Sequence, residues 1–132
     1  MIVVDTSAVI AALTGRPQNR ELIDRLGDDS DLSAPHLLDV EFLHALRRLV
    51  LGGRLGEDRA ADARNDFAAL AISRYEHAIV ADRVWDLRFS LTAYDATFVA
   101  LAEALDAPLV TCDGRLARAP GHQATVELFQ DT

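Results

Sequence analysis

Ile2-Val3-Val4-Asp5-Thr6-Ser7-Ala8 opens the chain, and its reading decides the architecture. Three β-branched apolar residues in a row, with no polar alternation, suit a strand covered on both faces, as in a parallel sheet. Asp5-Thr6-Ser7 offers residues that cap a helix, and Ala8 to Leu13 continues that helix until Gly15 stops it. The same grammar returns near the other end. Pro108 precedes Leu109-Val110-Thr111, a second buried strand, which runs into Cys112-Asp113-Gly114.

Between these two points strands and helices alternate. Pro17 is expected to start a second helix that ends near Gly27. Leu32-Ser33-Ala34 reads as a short strand that Pro35 ends. From His36 to Leu51, Leu38, Phe42, Ala45, Leu46, Leu49 and Val50 recur at helical spacing, and Gly52-Gly53 terminates the run. Gly56-Glu57 leads into a helix through Leu70, with a strand expected over Leu70-Ala71-Ile72. Ala78 to Phe89 is read as a helix carrying Val80, Val84, Trp85 and Leu87, and Thr92 to Leu105 as another. Ala124 to Leu128 is expected as the last strand, and Gln130-Asp131-Thr132 as a frayed end. The pattern predicts one domain over residues 1–132, a three-layer α/β/α fold with a central, mostly parallel sheet. No repeat, low-complexity segment or linker interrupts it.

Composition narrows the function classes. At 132 residues the chain is long enough for a sizeable core, and its 50% hydrophobic and 26% charged residues are those of an ordinary soluble domain. No apolar run approaches the roughly 20 residues that span a bilayer. The first residues have neither a basic segment nor a long apolar one, so no signal peptide is expected. The one cysteine, Cys112, leaves no internal disulfide and suits a reducing cytoplasm. Net charge is −8, with 13 arginines and no lysine. That acidity is unusual for a nucleic-acid binder, but it suits a basic protein partner.

Part of the acidity falls in telling places. Asp5 closes the first strand, Glu41 interrupts the apolar stripe of a helix, Asp95 opens a helix, and Asp113 follows a strand. Without these four, 17 acids face 13 bases and the charge is −4. Taken singly, three have ordinary explanations. Asp5 caps a helix, Thr92-Ala93-Tyr94-Asp95 resembles a capping box, and Asp113-Gly114 is a turn dipeptide. Glu41, flanked by Leu37, Leu38, His44 and Ala45 at helical spacing, is harder to explain so. Taken jointly, residues that follow parallel strands point to the carboxyl edge of a sheet, where ligands bind. Carboxylates gathered there need a cation to offset them. Hard oxygen donors select Mg2+ or Mn2+. A pair of such ions roughly 4 Å apart activates water and stabilises the leaving oxygen in phosphodiester cleavage.

The chain resembles the PIN-domain ribonucleases, most closely the VapC-type toxins of bacterial toxin–antitoxin pairs. The resemblance is carried by Ile2 to Ala8, by Pro35-His36-Leu37-Leu38-Asp39-Val40-Glu41, by Leu91-Thr92-Ala93-Tyr94-Asp95-Ala96, and by Leu109-Val110-Thr111-Cys112-Asp113. It implies a PIN-like fold and a Mg2+- or Mn2+-dependent endoribonuclease with Asp5, Glu41, Asp95 and Asp113 as its metal centre. Asp5 and Asp95 are the expected direct ligands, and Thr6 or Ser7 orients Asp5. Water attacks phosphorus in line, Glu41 or Asp113 accepts its proton, and the products carry 5′-phosphate and 3′-hydroxyl ends. Some members carry a further acid shortly after the last one. Here Gly114, Arg115 and Leu116 stand in its place, which leaves open whether one ion or two bind. The resemblance also implies a homodimer, and a VapB-type antitoxin that wraps the toxin in a heterotetramer or larger complex. A stand-alone PIN nuclease of RNA maturation and a non-catalytic PIN scaffold share the same frame and stay open here.

Other groups carry weaker signals. Glu41 and His44 have the E-x-x-H spacing of di-iron bundles, but no second copy exists. His36, His77 and His122 are expected at the surface or as caps. The P-loop and the dinucleotide fingerprint are absent. Arg115 and Arg118, and similarly Arg47 and Arg48, are candidates for RNA phosphates. Trp85 and Tyr94 are candidates for base stacking, with Trp85 expected in the core instead.

Overall fold

The computed structural model describes residues 1–15, 19–28 and 31–130. Five strands, β1 (Ile2–Val4), β2 (Leu32–Pro35), β3 (Ile72–Tyr75), β4 (Leu109–Thr111) and β5 (Val126–Leu128), form one sheet in the order β3-β2-β1-β4-β5. Every adjacent pair is parallel. The helices are α1 (Thr6–Thr14), α2 (Arg20–Asp28), α3 (Leu37–Leu51), α4 (Glu57–Ala69), α5 (Ala81–Asp86), α6 (Ala93–Leu105) and α7 (Gly114–Arg118), with a 3-10 turn over His77–Val80. Helix α1 packs with α2, α3 and α4, while α6 packs with α5, the 3-10 turn and the sheet. The predicted α/β layering with a parallel sheet is the one observed.

The core follows from the apolar runs. β1 and β4 are buried at every position, and α6 is buried at every residue from Ala96 to Ala102. A helix apolar all round must be covered on all sides, and α6 is covered by the strands beneath it and by α5 beside it. Phe42 of α3 stacks on Phe67 of α4 with ring centroids 4.1 Å apart.

The sheet order matters for the site. From β1 the chain crosses to β2 and β3 on one side, then to β4 and β5 on the other. The connections leaving β1 and β4 therefore run to opposite sides of the sheet, and their carboxyl ends flank a crevice. That switch point is where open parallel sheets place their ligands.

Several expected elements shift. The strand expected at Leu70-Ala71-Ile72 is Ile72–Tyr75; Leu70 instead caps the end of α4. Ile72-Ser73-Arg74-Tyr75 alternates, as suits an edge strand, so a search for an unbroken apolar run stops too early. The helix expected over Ala78 to Phe89 is a 3-10 turn followed by α5, which ends at Asp86. Trp85 is not in the core but 67% exposed, while Leu87 is 2% exposed. The inward stripe runs Val80, Val84, Leu87, and a residue next to Val84 points about 100° away from it. Helix α2 ends at Asp28, near Gly27 as expected, whereas α7, too short to show a period, is not announced by the sequence. The start expected at Pro17 and the fraying expected at Asp131 and Thr132 lie outside the described residues.

Ser33, in the middle of β2, is fully buried, and its hydroxyl has no hydrogen-bond partner among the described residues. An unsatisfied buried hydroxyl destabilises the fold, so Ser33→Ala should raise stability by about 1 kcal/mol. A higher urea midpoint at unchanged slope is the expected measurement.

Candidate metal centre

Asp5 stands between β1 and α1 and is 5% exposed. It occupies the N-cap position but makes no side-chain capping bond. Its Oδ2 instead accepts from Ser7 Oγ at 2.6 Å and from Thr111 Oγ1 at 2.8 Å. Both hydroxyl oxygens accept in turn from the backbone after β4: Cys112 N–H donates to Ser7 Oγ at 2.9 Å, and Asp113 N–H to Thr111 Oγ1 at 3.0 Å. The two hydroxyl protons are thus committed to one carboxylate oxygen, an arrangement suited to its anionic form. It also ties the ends of β1 and β4 together. Of the two hydroxyls expected to orient Asp5, that of Ser7 does so and that of Thr6 does not, although the Thr6 backbone N–H also bonds the carboxylate. Thr6 Oγ1 donates to Glu41 Oε1 at 2.6 Å, joining α1 to α3.

Asp95 lies in the first turn of α6, where its own N–H donates to the capping Thr92 Oγ1 at 3.1 Å. Asp113 caps α7, its Oδ1 accepting from the N–H groups of Arg115 at 2.9 Å and Leu116 at 3.4 Å. The capping and turn readings therefore hold for these two residues alongside their place in the crevice.

The four acids share one electrostatic neighbourhood. Burial pushes the Asp5 carboxyl above its ordinary range; hydrogen bonds from Ser7 and Thr111 oppose this, and the charge of Asp113 adds to it. Glu41 is raised by burial first, then by the charges of Asp5 and Asp95, against the bond from Thr6. Asp95 is raised by burial first, then by Asp5 and Asp113, and Arg115 opposes this. Side chains from four distant segments thus repel one another across the switch point. The donor set is hard oxygen throughout, which suits Mg2+ or Mn2+. Among the described residues no three acidic, histidine or cysteine side chains form a ready-made ligand group.

The remaining candidates divide. Arg115 is 86% exposed on its side chain, with its Nε 3.9 Å from Asp113 Oδ1. Arg118 folds back over Gly114, where an added Cβ would meet its Nη1 at 2.8 Å. His44 is exposed, and its charge is felt by Glu41. Arg47, Arg48 and Tyr94 are exposed as well. His77 is a cap of a kind the sequence does not announce: its Nε2 accepts from the N–H of Leu37, 40 residues away, at 2.9 Å. His122 Nδ1 accepts locally from Ala124 N–H. Thr111 is the site residue that sequence reasoning missed. Its only signal was a hydroxyl in an otherwise apolar strand two residues before Asp113.

Known proteins share this frame. A family model described as PIN domain matches residues 2–122. Ribonuclease VapC1 of Mycobacterium tuberculosis is 44% identical over 129 residues, covering 97% of each chain. Ribonuclease VapC12 of the same organism is 35% identical over 128 residues, covering 97% of this chain and 98% of its own. Among solved structures, VapBC2 from Rickettsia felis, bound to a DNA fragment from its promoter, superposes with a TM-score of 0.73 at 15% identity. That match covers 98% of this chain and 99% of the other. With this similarity running over nearly its whole length, the chain belongs to the PIN-domain family and, within it, to the VapC ribonucleases.

Proposed function

We propose that this ribonuclease is the toxin of a toxin–antitoxin pair and that it hydrolyses RNA phosphodiester bonds with Mg2+ or Mn2+ held by Asp5, Glu41, Asp95 and Asp113. The observation that carries the reading is the mutual repulsion of these acids at the switch point. Such a cluster raises the energy of its own ionised form, and a divalent cation relieves it. When bound, the ion supplies activation of water and stabilisation of charge on the phosphate.

The protein's own groups do the rest. Ser7 and Thr111 fix the orientation of the Asp5 carboxylate, and Thr6 fixes Glu41. Glu41, with its raised proton affinity and a hydroxyl on one oxygen, suits the acceptance of a proton from the attacking water. Arg115, exposed at the edge of the crevice, reaches for a phosphate of the RNA. Attack by water with the P–O3′ bond breaking, and the 3′-oxygen leaving as the hydroxyl, leaves a 5′-phosphate and a 3′-hydroxyl. The partner is a small VapB-type antitoxin with a basic segment drawn to this acidic chain, and the setting is the cytoplasm. VapBC assemblies of the same fold support that reading.

Purified protein with Mn2+ should cut single-stranded RNA and leave 5′-phosphate ends, which ligation-based end mapping reads. Full activity in excess chelator, or 2′,3′-cyclic phosphate ends, would sink the mechanism. Ser7→Ala removes one of the two hydroxyls on Asp5 and one acceptor for the chain after β4. As with other groups that hydrogen-bond and orient a metal-binding side chain, its loss should lower cleavage by about 10- to 100-fold. Serine-to-threonine replacement at the same position should recover part of the loss if orientation is what matters.

A further inference from the structure

The segment joining α5 to α6 displays an aromatic cluster that the acidic centre does not use. Trp85 is exposed, and Phe89 is 89% exposed. Between their rings lies the guanidinium of Arg88, with its Cζ 4.6 Å from the Trp85 ring centroid and 4.5 Å from that of Phe89. Arg88 Nη1 donates to the Trp85 carbonyl at 2.9 Å, which pins the stack to its own backbone. Buried Leu87 anchors the turn beneath it. Among the described residues no carboxylate stands within ion-pair distance of Arg88.

Two large rings left in water, with a guanidinium held between them, form an exposed cluster with a defined chemical preference. The outer faces of such rings stack on unpaired nucleobases, and the N–H edge of a guanidinium with no carboxylate partner takes a phosphate. An exposed arginine with no carboxylate within ion-pair distance among the described residues is a cation that an anionic ligand can use. A second copy of the chain fits less well, because covering Arg88 without supplying a carboxylate buries an uncompensated charge. The cluster also lies close to the chemistry along the chain. Phe89 is followed by the cap residue Thr92, by exposed Tyr94, and then by Asp95.

We propose that Trp85, Arg88 and Phe89 form a stacking platform that holds an unpaired base of the RNA substrate beside the acidic centre. The proposal rests on the ribonuclease reading above and adds to it how single-stranded RNA is gripped. It has a direct reporter, because Trp85 is the only tryptophan of the chain.

The test uses a single-stranded RNA of roughly twelve nucleotides, within the usual range of such sites, titrated in Mg2+ into the full chain carrying Asp95→Asn. Saturable quenching of Trp85 emission, tracking the anisotropy of a labelled copy of the RNA, is the expected result. Arg88→Ala and Phe89→Ala, placed separately in that background, should each weaken binding by about tenfold, the lower end of what losing one stacking partner does. A duplex of the same sequence should quench little, since its bases are already stacked. Both side chains are exposed, so unchanged melting temperatures are expected to accompany the loss.

RNA that binds without quenching, and equally well to both variants, overturns the platform. Wild-type cleavage in Mn2+, run in parallel, shows that the ribonuclease reading survives that outcome. Variants that change the oligomeric state by light scattering while RNA affinity stays fixed make the patch a self-association face, which also overturns the platform. A wild-type chain that neither binds nor cuts RNA overturns both readings together.

Discussion

Asp95→Asn will lower RNA cleavage by about 10³-fold or more while raising the stability of the metal-free protein. The first effect follows from the proposed metal centre, where the substitution would remove one charged oxygen donor to a cation that would contribute several kcal/mol to the transition state. The second follows from repulsion. Burial and the charges of Asp5 and Asp113 hold the Asp95 carboxyl above its ordinary range, so the folded protein retains protons there that the unfolded chain has released. Such a group contributes stability at low pH that is lost as pH rises through its elevated value. In excess chelator, the wild type should therefore lose stability as pH climbs from the ordinary carboxylate range through the raised values of Asp95, Asp5 and Glu41. The asparagine variant should lose less, because one of the three groups no longer titrates. Mn2+ at a hundred times its dissociation constant should add about 2.7 kcal/mol to the wild type and clearly less to the variant. Paired activity assays and thermal melts across pH check this. A variant that cuts RNA at the wild-type rate, or melts lower than wild type in chelator at neutral pH, would show that Asp95 is not part of a strained anionic centre.

Phe42→Ala will destabilise the fold by about 3–5 kcal/mol, a large part of the total stability of a domain this size. Phe42 is fully buried on α3 and stacks nearly parallel on Phe67, with 9° between the rings. Truncation leaves a cavity between α3 and α4 that neither helix can close alone. Because Phe42 follows Glu41, loosening α3 also disturbs the bond from Thr6 to Glu41. The urea midpoint should fall sharply, and Phe42→Leu should recover roughly half of the loss. A loss under 1 kcal/mol for the alanine variant would mean that the α3–α4 contact contributes little to the core.

Much of this molecule can be read from local pattern. The unbroken Ile2-Val3-Val4 and Leu109-Val110-Thr111 runs are buried parallel strands, and the apolar stripe from Leu38 to Leu46 is the inner face of α3. Errors arose where pattern thins. The alternating edge strand β3 lacks an apolar run, and the five residues of α7 complete less than two helical turns. Trp85 is expected in the core, but a one-residue step around the helix from Val84 turns it to solvent.

The acids were visible as oddities of position, because a carboxylate at the end of an apolar run invites an explanation wherever it occurs. Residue type and spacing along the chain determine which segments become strands and helices, since those preferences act over a few residues. They do not determine which hydroxyl meets which carboxylate. Thr6 bonding Glu41 rather than Asp5, Thr111 reaching Asp5 across 106 positions, and His77 accepting from Leu37 all depend on how the strands order themselves about β1. Those partners are set by packing between segments remote in sequence, so only the folded chain decides them.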